Sequence, residues 1–129
     1  MPAVDQLAVA DHTAQAREFL AKARKCLAED DLHQASEKGW GAAARMAKAV
    51  AETHGWRYAR HADFSVVMNH ARKMTGNNRL SVLRAVANDL HSNYYRRKRF
   101  LDAEVISEDL ECVAELVEIL APLTLPTRD

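Results

Sequence analysis

A stripe of polar side chains follows one face of a helix predicted near residues 78–97. Its members are three or four residues apart, the spacing that brings side chains to one face of an α-helix: Ser81, Arg84, Asn88, His91, Tyr95 and Lys98. Histidine can move a proton near neutral pH, and arginine binds phosphoryl oxygens. Arg84 and His91 lie two turns apart, about 10 Å along the axis, so together they could bind one extended anion. The same stripe could also be the ordinary polar face of a bundle helix.

A basic run overlaps the end of this stripe and directly follows two tyrosines. Cations suit phosphates and aromatic rings stack on unpaired bases, so the run predicts nucleic-acid binding. The candidate contacts are Asn93, Tyr94, Tyr95, Arg96, Arg97, Lys98 and Arg99. A solvated helix end is the alternative interpretation, because cations also complement the helix dipole there.

Other residue types suggest no further chemistry. Six histidines are present, but none forms a His-x-x-x-His or Glu-x-x-His pair, so we expect no metal and no cofactor. Cys26 and Cys112 are too few for a disulfide framework and are expected to be buried. Trp40 and Trp56 are expected to be packing residues.

Length and composition predict one soluble domain. The chain has 129 residues, of which 48% are hydrophobic and 28% charged, a globular balance. We expect a single domain over residues 1–129, with a core at about 11–121 and a loose tail at 122–129. No apolar run is long enough to span a membrane and no secretory signal is visible, so we expect a cytoplasmic protein.

The net charge of zero hides an asymmetry along the chain. Residues 57–99 carry ten basic and two acidic side chains, whereas residues 100–129 carry one basic and eight acidic ones. The middle segment could attract a polyanion. Equally, an acidic C-terminal helix could pack against it and neutralise it.

Apolar residues recur at helical spacing in five segments, and no alternating strand pattern is visible. The segments cover about residues 11–29, 32–54, 64–75 and 78–97, with a fifth that begins after Ser107 as N-cap and ends at Pro122. We therefore predict an all-α fold, an antiparallel up-and-down helical bundle of four to five helices. Gly39 and Gly41, among many alanines, predict a close helix contact within the chain or across a dimer.

Parts of this sequence resemble a known family. Arg84 and His91, separated by six residues, are similar to the long form of the Arg–(four to six residues)–His motif of HEPN domains, the higher-eukaryote and prokaryote nucleotide-binding family. Residues 90–95, Leu-His-Ser-Asn-Tyr-Tyr, resemble the Leu-His-x-Asn-Phe-Tyr signature of PaREP-type and related small HEPN proteins. The alanine-rich stretch 35–49, Gly55-Trp56 and His61 resemble their second helix and the loop after it.

The resemblance implies a bundle that usually forms a homodimer. Many active HEPN proteins are metal-independent RNases, often toxins paired with a small nucleotidyltransferase antitoxin, while others only bind nucleotides or proteins. In an active member His91 would move the proton, Arg84 would stabilise phosphoryl charge and Asn88 would orient His91. Two functions stay open: an RNA- or nucleotide-directed protein, in one form a metal-independent RNase of a toxin–antitoxin or defence system, and a non-catalytic module that binds a nucleotide or protein.

Overall fold

A computed structural model describes residues 5–96 and 102–125 of the chain, although for residues 94–96 it describes only the backbone. Five helices and one short 3-10 helix account for most of these residues, and no strand occurs among them, which confirms the predicted all-α bundle. The helices are α1 (Gln6–Ala28), α2 (Leu32–His54), α3 (Asp63–Thr75), α4 (Arg79–Arg96) and α5 (Ala103–Leu120), and the 3-10 helix is Ala121–Thr124. None of these helices is long and apolar enough to cross a membrane.

Carboxylates begin three of the helices. Asp5, Asp31 and Asp102 each accept a backbone N–H three residues ahead, at 2.9, 3.2 and 2.9 Å, which satisfies a donor that the helix itself leaves unpaired. The predicted N-cap at Ser107 is wrong, because Asp102 starts α5 earlier and Ser107 lies inside that helix. Asp5 likewise starts α1 before the predicted residue 11.

Glycines end two helices where the sequence predicted. Gly55 after α2 and Gly76 after α3 both have φ of 71°, in the left-handed region that glycine adopts without a steric penalty. The loop that begins at Gly55 leads from the end of α2 to the start of α3. It contributes half of the residues that line the candidate site.

The alanine-rich α2 is the central helix and contacts each of the others. Its small residues let neighbouring helices approach closely: an added Cβ at Gly39 would lie 2.6 Å from Leu110 Cδ2 and 3.1 Å from Leu90 Cδ1. The small-residue face is therefore used within the chain, against α4 and α5. It gives no support to a dimer, which now rests on the family resemblance.

The end of the chain is held more tightly than we expected. Residues 121–124 form the 3-10 helix, and the Leu123 carbonyl lies 2.9 Å from Nε2 of His54. Thr124 is 9% exposed. The loose tail therefore does not begin at residue 122, and residues 126–129 lie outside the described part.

The acidic helix α5 is paired mainly with α1. Among the described residues it forms three ion pairs: Arg17–Glu118 at 2.7 Å, Arg24–Glu111 at 3.1 Å and Arg79–Glu115 at 2.9 Å. Two of these arginines lie on α1, so in the described ranges Arg79 is the member of the basic segment that α5 neutralises. The other cations described in that segment form no ion pair with α5.

Candidate functional site

A cleft of about 320 Å³ opens between α2, the α2–α3 loop (residues 55–62) and α4. It is lined by Trp40, Ala44, Lys48, Tyr58, Ala59, Arg60, His61 and His91. Four of these eight side chains are aromatic or imidazole rings, and two, Lys48 and Arg60, are basic. Rings and cations together are the groups that bind a base and its phosphate.

The wall from α2 is a row of residues four apart. Trp40, Ala44 and Lys48 share one helix face, and the small Ala44 leaves room between the two larger side chains. The Lys48 ammonium lies 5.5 Å from the ring centroid of Tyr58 on the opposite wall. Burial and the nearby Arg45 charge lower the pKa of Lys48 from its ordinary value. Burial also raises the pKa of Tyr58, so its hydroxyl stays protonated at neutral pH.

The loop wall is shaped by one carboxylate. Asp63, in the first turn of α3, accepts the backbone N–H groups of Ala59 at 2.7 Å and Arg60 at 2.9 Å. These two hydrogen bonds stabilise the ionised form and hold the pKa of Asp63 below its ordinary value. At the start of the loop, Trp56 stacks on His54 with ring centroids 4.8 Å apart, and the tilted ring of His70 lies 5.0 Å from Trp56.

Three rings meet at the end of the cleft nearest α4. His61 and His91 stack with centroids 4.2 Å apart, and Trp40 lies 4.5 Å from His91 and 4.7 Å from His61. The fully buried Phe64 packs edge-on against Trp40, with ring centroids 4.8 Å apart. We call Trp40, His61 and His91 the ring cluster.

His91 is half-buried within the ring cluster. Burial lowers the pKa of His91 below its ordinary value of 6.5, and the neighbouring His61 lowers it further. The imidazole is therefore neutral at pH 7. A neutral imidazole keeps one nitrogen lone pair and can accept a proton.

The other two members of the predicted catalytic set lie apart from the cleft. Arg84 is half-buried two turns earlier on α4 and does not line the cleft. The Asn88 amide donates to Ser65 Oγ at 3.4 Å and so joins α4 to α3. The structure thus brings His91 together with Trp40 and His61, and not with Arg84, within one chain.

Of the predicted nucleic-acid contacts, the structure describes the side chain of Asn93 alone. Asn93 is 6% exposed and donates to Ser36 Oγ at 2.7 Å, so it ties α4 to α2 and does not face a ligand. The side chains of Tyr94, Tyr95 and Arg96 lie outside the described part of the structure. Arg97, Lys98 and Arg99 lie outside the described residues altogether.

Sequence reasoning missed most of the cleft. Trp40 was expected to be a packing residue, and Lys48, Tyr58 and Arg60 were not singled out. A signal was present: Trp40, Ala44 and Lys48 lie four residues apart, and Tyr58, Arg60 and His61 crowd a short interhelical loop. Within the described ranges no group of three His, Cys, Asp or Glu side chains is placed to hold a metal ion.

Comparison with known proteins places the chain in a family. No curated protein matches the sequence, and no solved structure matches it. The sequence model of the archaeal PaREP1/PaREP8 family matches residues 11–118, which include all the residues that line the cleft. Because that match covers most of its length, the chain belongs to the archaeal PaREP1/PaREP8 family.

Proposed function

We propose that the cleft binds a nucleotide, either free or as one unit of an RNA strand. The observation that carries the proposal is the ring cluster in the same cleft as Lys48 and Arg60. Stacking on an aromatic ring accepts any base, because every base has a π-face. The base would lie against the rings, and the phosphate would lie towards the two cations.

The charge around the cleft favours an anionic ligand. Neither Lys48 nor Arg60 forms an ion pair with a carboxylate in the described part of the chain. The one carboxylate that shapes the loop, Asp63, already accepts two backbone N–H groups. A phosphate would therefore meet cations whose charge is not cancelled by a direct partner. The HEPN resemblance, which implies nucleotide- or RNA-directed proteins, agrees with this chemistry.

Tryptophan fluorescence tests the proposal directly. The chain has two tryptophans, so Trp56→Phe leaves Trp40 as the reporter. AMP should quench Trp40 in a saturable manner, whereas ribose 5-phosphate, which lacks a base, should leave the fluorescence unchanged. The matched variant Trp40→Phe keeps Trp56 and should show no saturable quenching. Absence of both quenching and binding heat with AMP, GMP, CMP and UMP would contradict the proposal.

A second candidate function is metal-independent cleavage of RNA. The observation that favours it is the neutral imidazole of His91 in an open cleft. His91 would remove the proton of a ribose 2′-hydroxyl, whose oxygen attacks the phosphorus while the bond from phosphorus to the 5′-oxygen breaks. The leaving 5′-oxygen would take its proton from solvent water. Arg84 would stabilise charge on the phosphoryl oxygens, and Asn88 would keep α4 in position through Ser65.

Two partners complete this second candidate. Arg84 lies two turns from His91, so an Arg84 from a second copy in a homodimer would have to reach the cleft. The resemblance further implies a nucleotidyltransferase-type antitoxin as the protein partner. If catalysis is absent, the same cleft serves the non-catalytic alternative, a module that binds a nucleotide or a protein.

A further inference from the structure

Two cations of α2 lie together on the α1 side of the cleft. Lys48 lines the cleft, and Arg45 is one turn earlier on the same helix, the spacing that makes helical side chains neighbours. Both residues are half-buried. In the described ranges neither has a carboxylate within ion-pair distance.

A histidine of α1 holds Arg45 in this place. Arg45 Nη1 lies 3.3 Å from His12 Nδ1. Because a guanidinium can only donate, Nδ1 must accept, so the proton of His12 is on Nε2 and the ring is neutral. Burial, with the charges of Arg45 and Lys48, lowers the pKa of His12 and keeps it neutral at pH 7. His12 thus orients the guanidinium without cancelling its charge.

The carboxylates nearby do not neutralise the pair. Asp11 and Glu52 are close enough to His12 to oppose the fall in its pKa, yet neither forms an ion pair with Arg45 or Lys48. The Arg45 charge in turn lowers the pKa of Lys48. The two cations therefore repel each other, and an anion placed between them would relieve that repulsion.

We propose that Arg45 and Lys48 form a second phosphate position beside the nucleotide cleft, with His12 as its positioning residue. This inference rests on the proposed function and narrows the ligand to one that carries two linked phosphates. Lys48 would contact the phosphates at both positions, whereas Arg60 would contact only the phosphate in the cleft. The ligand would then leave the cleft towards α1. Two sources supply this chemistry, a nucleoside diphosphate and an RNA strand.

The experiment compares three adenosine probes by calorimetry. AMP offers one phosphate, ADP offers two in a pyrophosphate, and the 5′-phosphorylated RNA dinucleotide pApA offers two in a strand. The variant is Arg45→Gln, which removes the charge but keeps an amide donor for His12. The matched control is Arg17→Gln, an arginine of α1 that pairs with Glu118 away from the cleft.

We expect ADP or pApA to bind more tightly than AMP, and Arg45→Gln to weaken that probe about tenfold, the low end for a hydrogen bond to a charged group. AMP affinity should stay within twofold, and Arg17→Gln should change nothing. The probe that responds identifies the source. Equal effects of Arg45→Gln on AMP and on both larger probes, or no effect on any of them, would overturn the second position and leave the nucleotide cleft intact. Failure of the wild-type protein to bind these three probes, together with GMP, CMP and UMP, would overturn the proposed function itself.

Discussion

His61 and His91 stack with their ring planes 29° apart and their centroids 4.2 Å apart, although one belongs to the α2–α3 loop and the other to α4. This contact between two residues of the site holds the α2–α3 loop against α4. A ligand that enters between the rings, or a proton that adds to one of them, must therefore change how the loop sits. The same closeness means that a charge on His61 disfavours a charge on His91.

The first prediction concerns RNA cleavage and its pH dependence. A general base must be neutral, and the pKa of His91 lies below 6.5. The single-turnover rate on labelled RNA should therefore fall on acidification, and should reach half of its plateau value below pH 6.5. His91→Ala should lose about 10²–10⁴-fold of the rate. The reaction should survive EDTA, leave 2′,3′-cyclic phosphate ends and spare DNA, which lacks the attacking hydroxyl.

The control for this prediction is His70→Ala. His70 is exposed on α3 and contacts Trp56 outside the cleft, so its loss should leave the rate unchanged. If wild-type protein cuts no RNA, with or without a protein partner removed, catalysis is excluded and the binding module stands. If His91→Ala cuts as fast as the wild type, His91 is not the base.

The second prediction is a homodimer in which Arg84 acts on the cleft of the other copy. Light scattering should give twice the monomer mass of 14.5 kDa. Arg84→Ala and His91→Ala should each be inactive alone. When the two variants are mixed and their subunits exchange, activity should return. One site of each heterodimer then has an intact His91 from one copy and an intact Arg84 from the other. A mass near 14.5 kDa at all concentrations would contradict the dimer, and a dimer without recovery would place Arg84 in its own chain's site or in none.

The third prediction distinguishes an effect on the shape of the α2–α3 loop from an effect on the stability of the protein. Asp63→Ala removes the acceptor of two loop N–H groups, so Tyr58, Arg60 and His61 lose their fixed positions. AMP binding should weaken at least fivefold. The matched control Asp102→Ala removes a helix N-cap of the same chemistry on α5, and should cost about 1 kcal/mol of unfolding free energy without changing AMP affinity. Equal AMP affinity in both variants would show that the loop keeps its shape without Asp63.

The helices could be predicted from the sequence because a helix depends on residues that are close together in the chain. The 3.6-residue periodicity predicts α2 with both of its ends correct. Gly55 and Gly76, which can adopt a left-handed φ that other residues resist, end α2 and α3 where expected. The start of α5 was misplaced for an equally local reason. Asp102 and Ser107 are both good N-caps, and periodicity alone did not choose between them.

The site could be predicted only in part, because its residues are far apart in the sequence and meet only through the packing of the helices. His91 was found from its helix stripe, but its neighbours Trp40 and His61 come from α2 and the following loop, and only the packing of α4 against α2 brings them together. The sequence placed Asn93 among the nucleic-acid contacts, whereas in the fold it is buried and donates to Ser36 of α2. A polar residue at helical spacing can face a neighbouring helix as well as a ligand, and one sequence does not distinguish the two cases.

The fourth prediction is a stability change with a defined pH dependence. Burial and the charges of Asp89 and Glu108 raise the pKa of Asp109 to about 6. Its ionised form is therefore unfavourable in the fold, and Asp109→Asn should stabilise the protein at pH 7. One pKa unit corresponds to about 1.4 kcal/mol; because solvent screens a partly exposed carboxylate, we expect about 1 kcal/mol in total.

That gain should shrink as the pH falls below 6, because Asp109 itself then binds a proton in the folded state. Urea unfolding at pH 5 and pH 7 measures it. Glu108→Gln, which removes only one of the repelling charges, should give a smaller gain of the same sign. An equal gain from Asp109→Asn at both pH values would contradict the raised pKa.

The fifth prediction uses two glycines of α2 that differ only in their surroundings. Alanine favours a helix over glycine by about 1 kcal/mol. At Gly41 the new Cβ would lie 3.6 Å from Phe19 Cδ2, an ordinary contact, so Gly41→Ala should stabilise the protein by about 0.5–1 kcal/mol. At Gly39 the new Cβ would lie 2.6 Å from Cδ2 of Leu110, which is 1% exposed and has little room to move.

Such overpacking costs about 1–3 kcal/mol, more than the helical gain returns, so Gly39→Ala should be destabilising by about 1 kcal/mol. Urea unfolding of both variants at pH 7 gives the two signs side by side. Leu110→Ala combined with Gly39→Ala removes the clash, so the Gly39→Ala step should cost less in the Leu110→Ala background than in the wild type. Two stabilising glycine variants would show that Leu110 moves aside freely and that α2 and α5 are less tightly packed than their contact at Gly39 indicates.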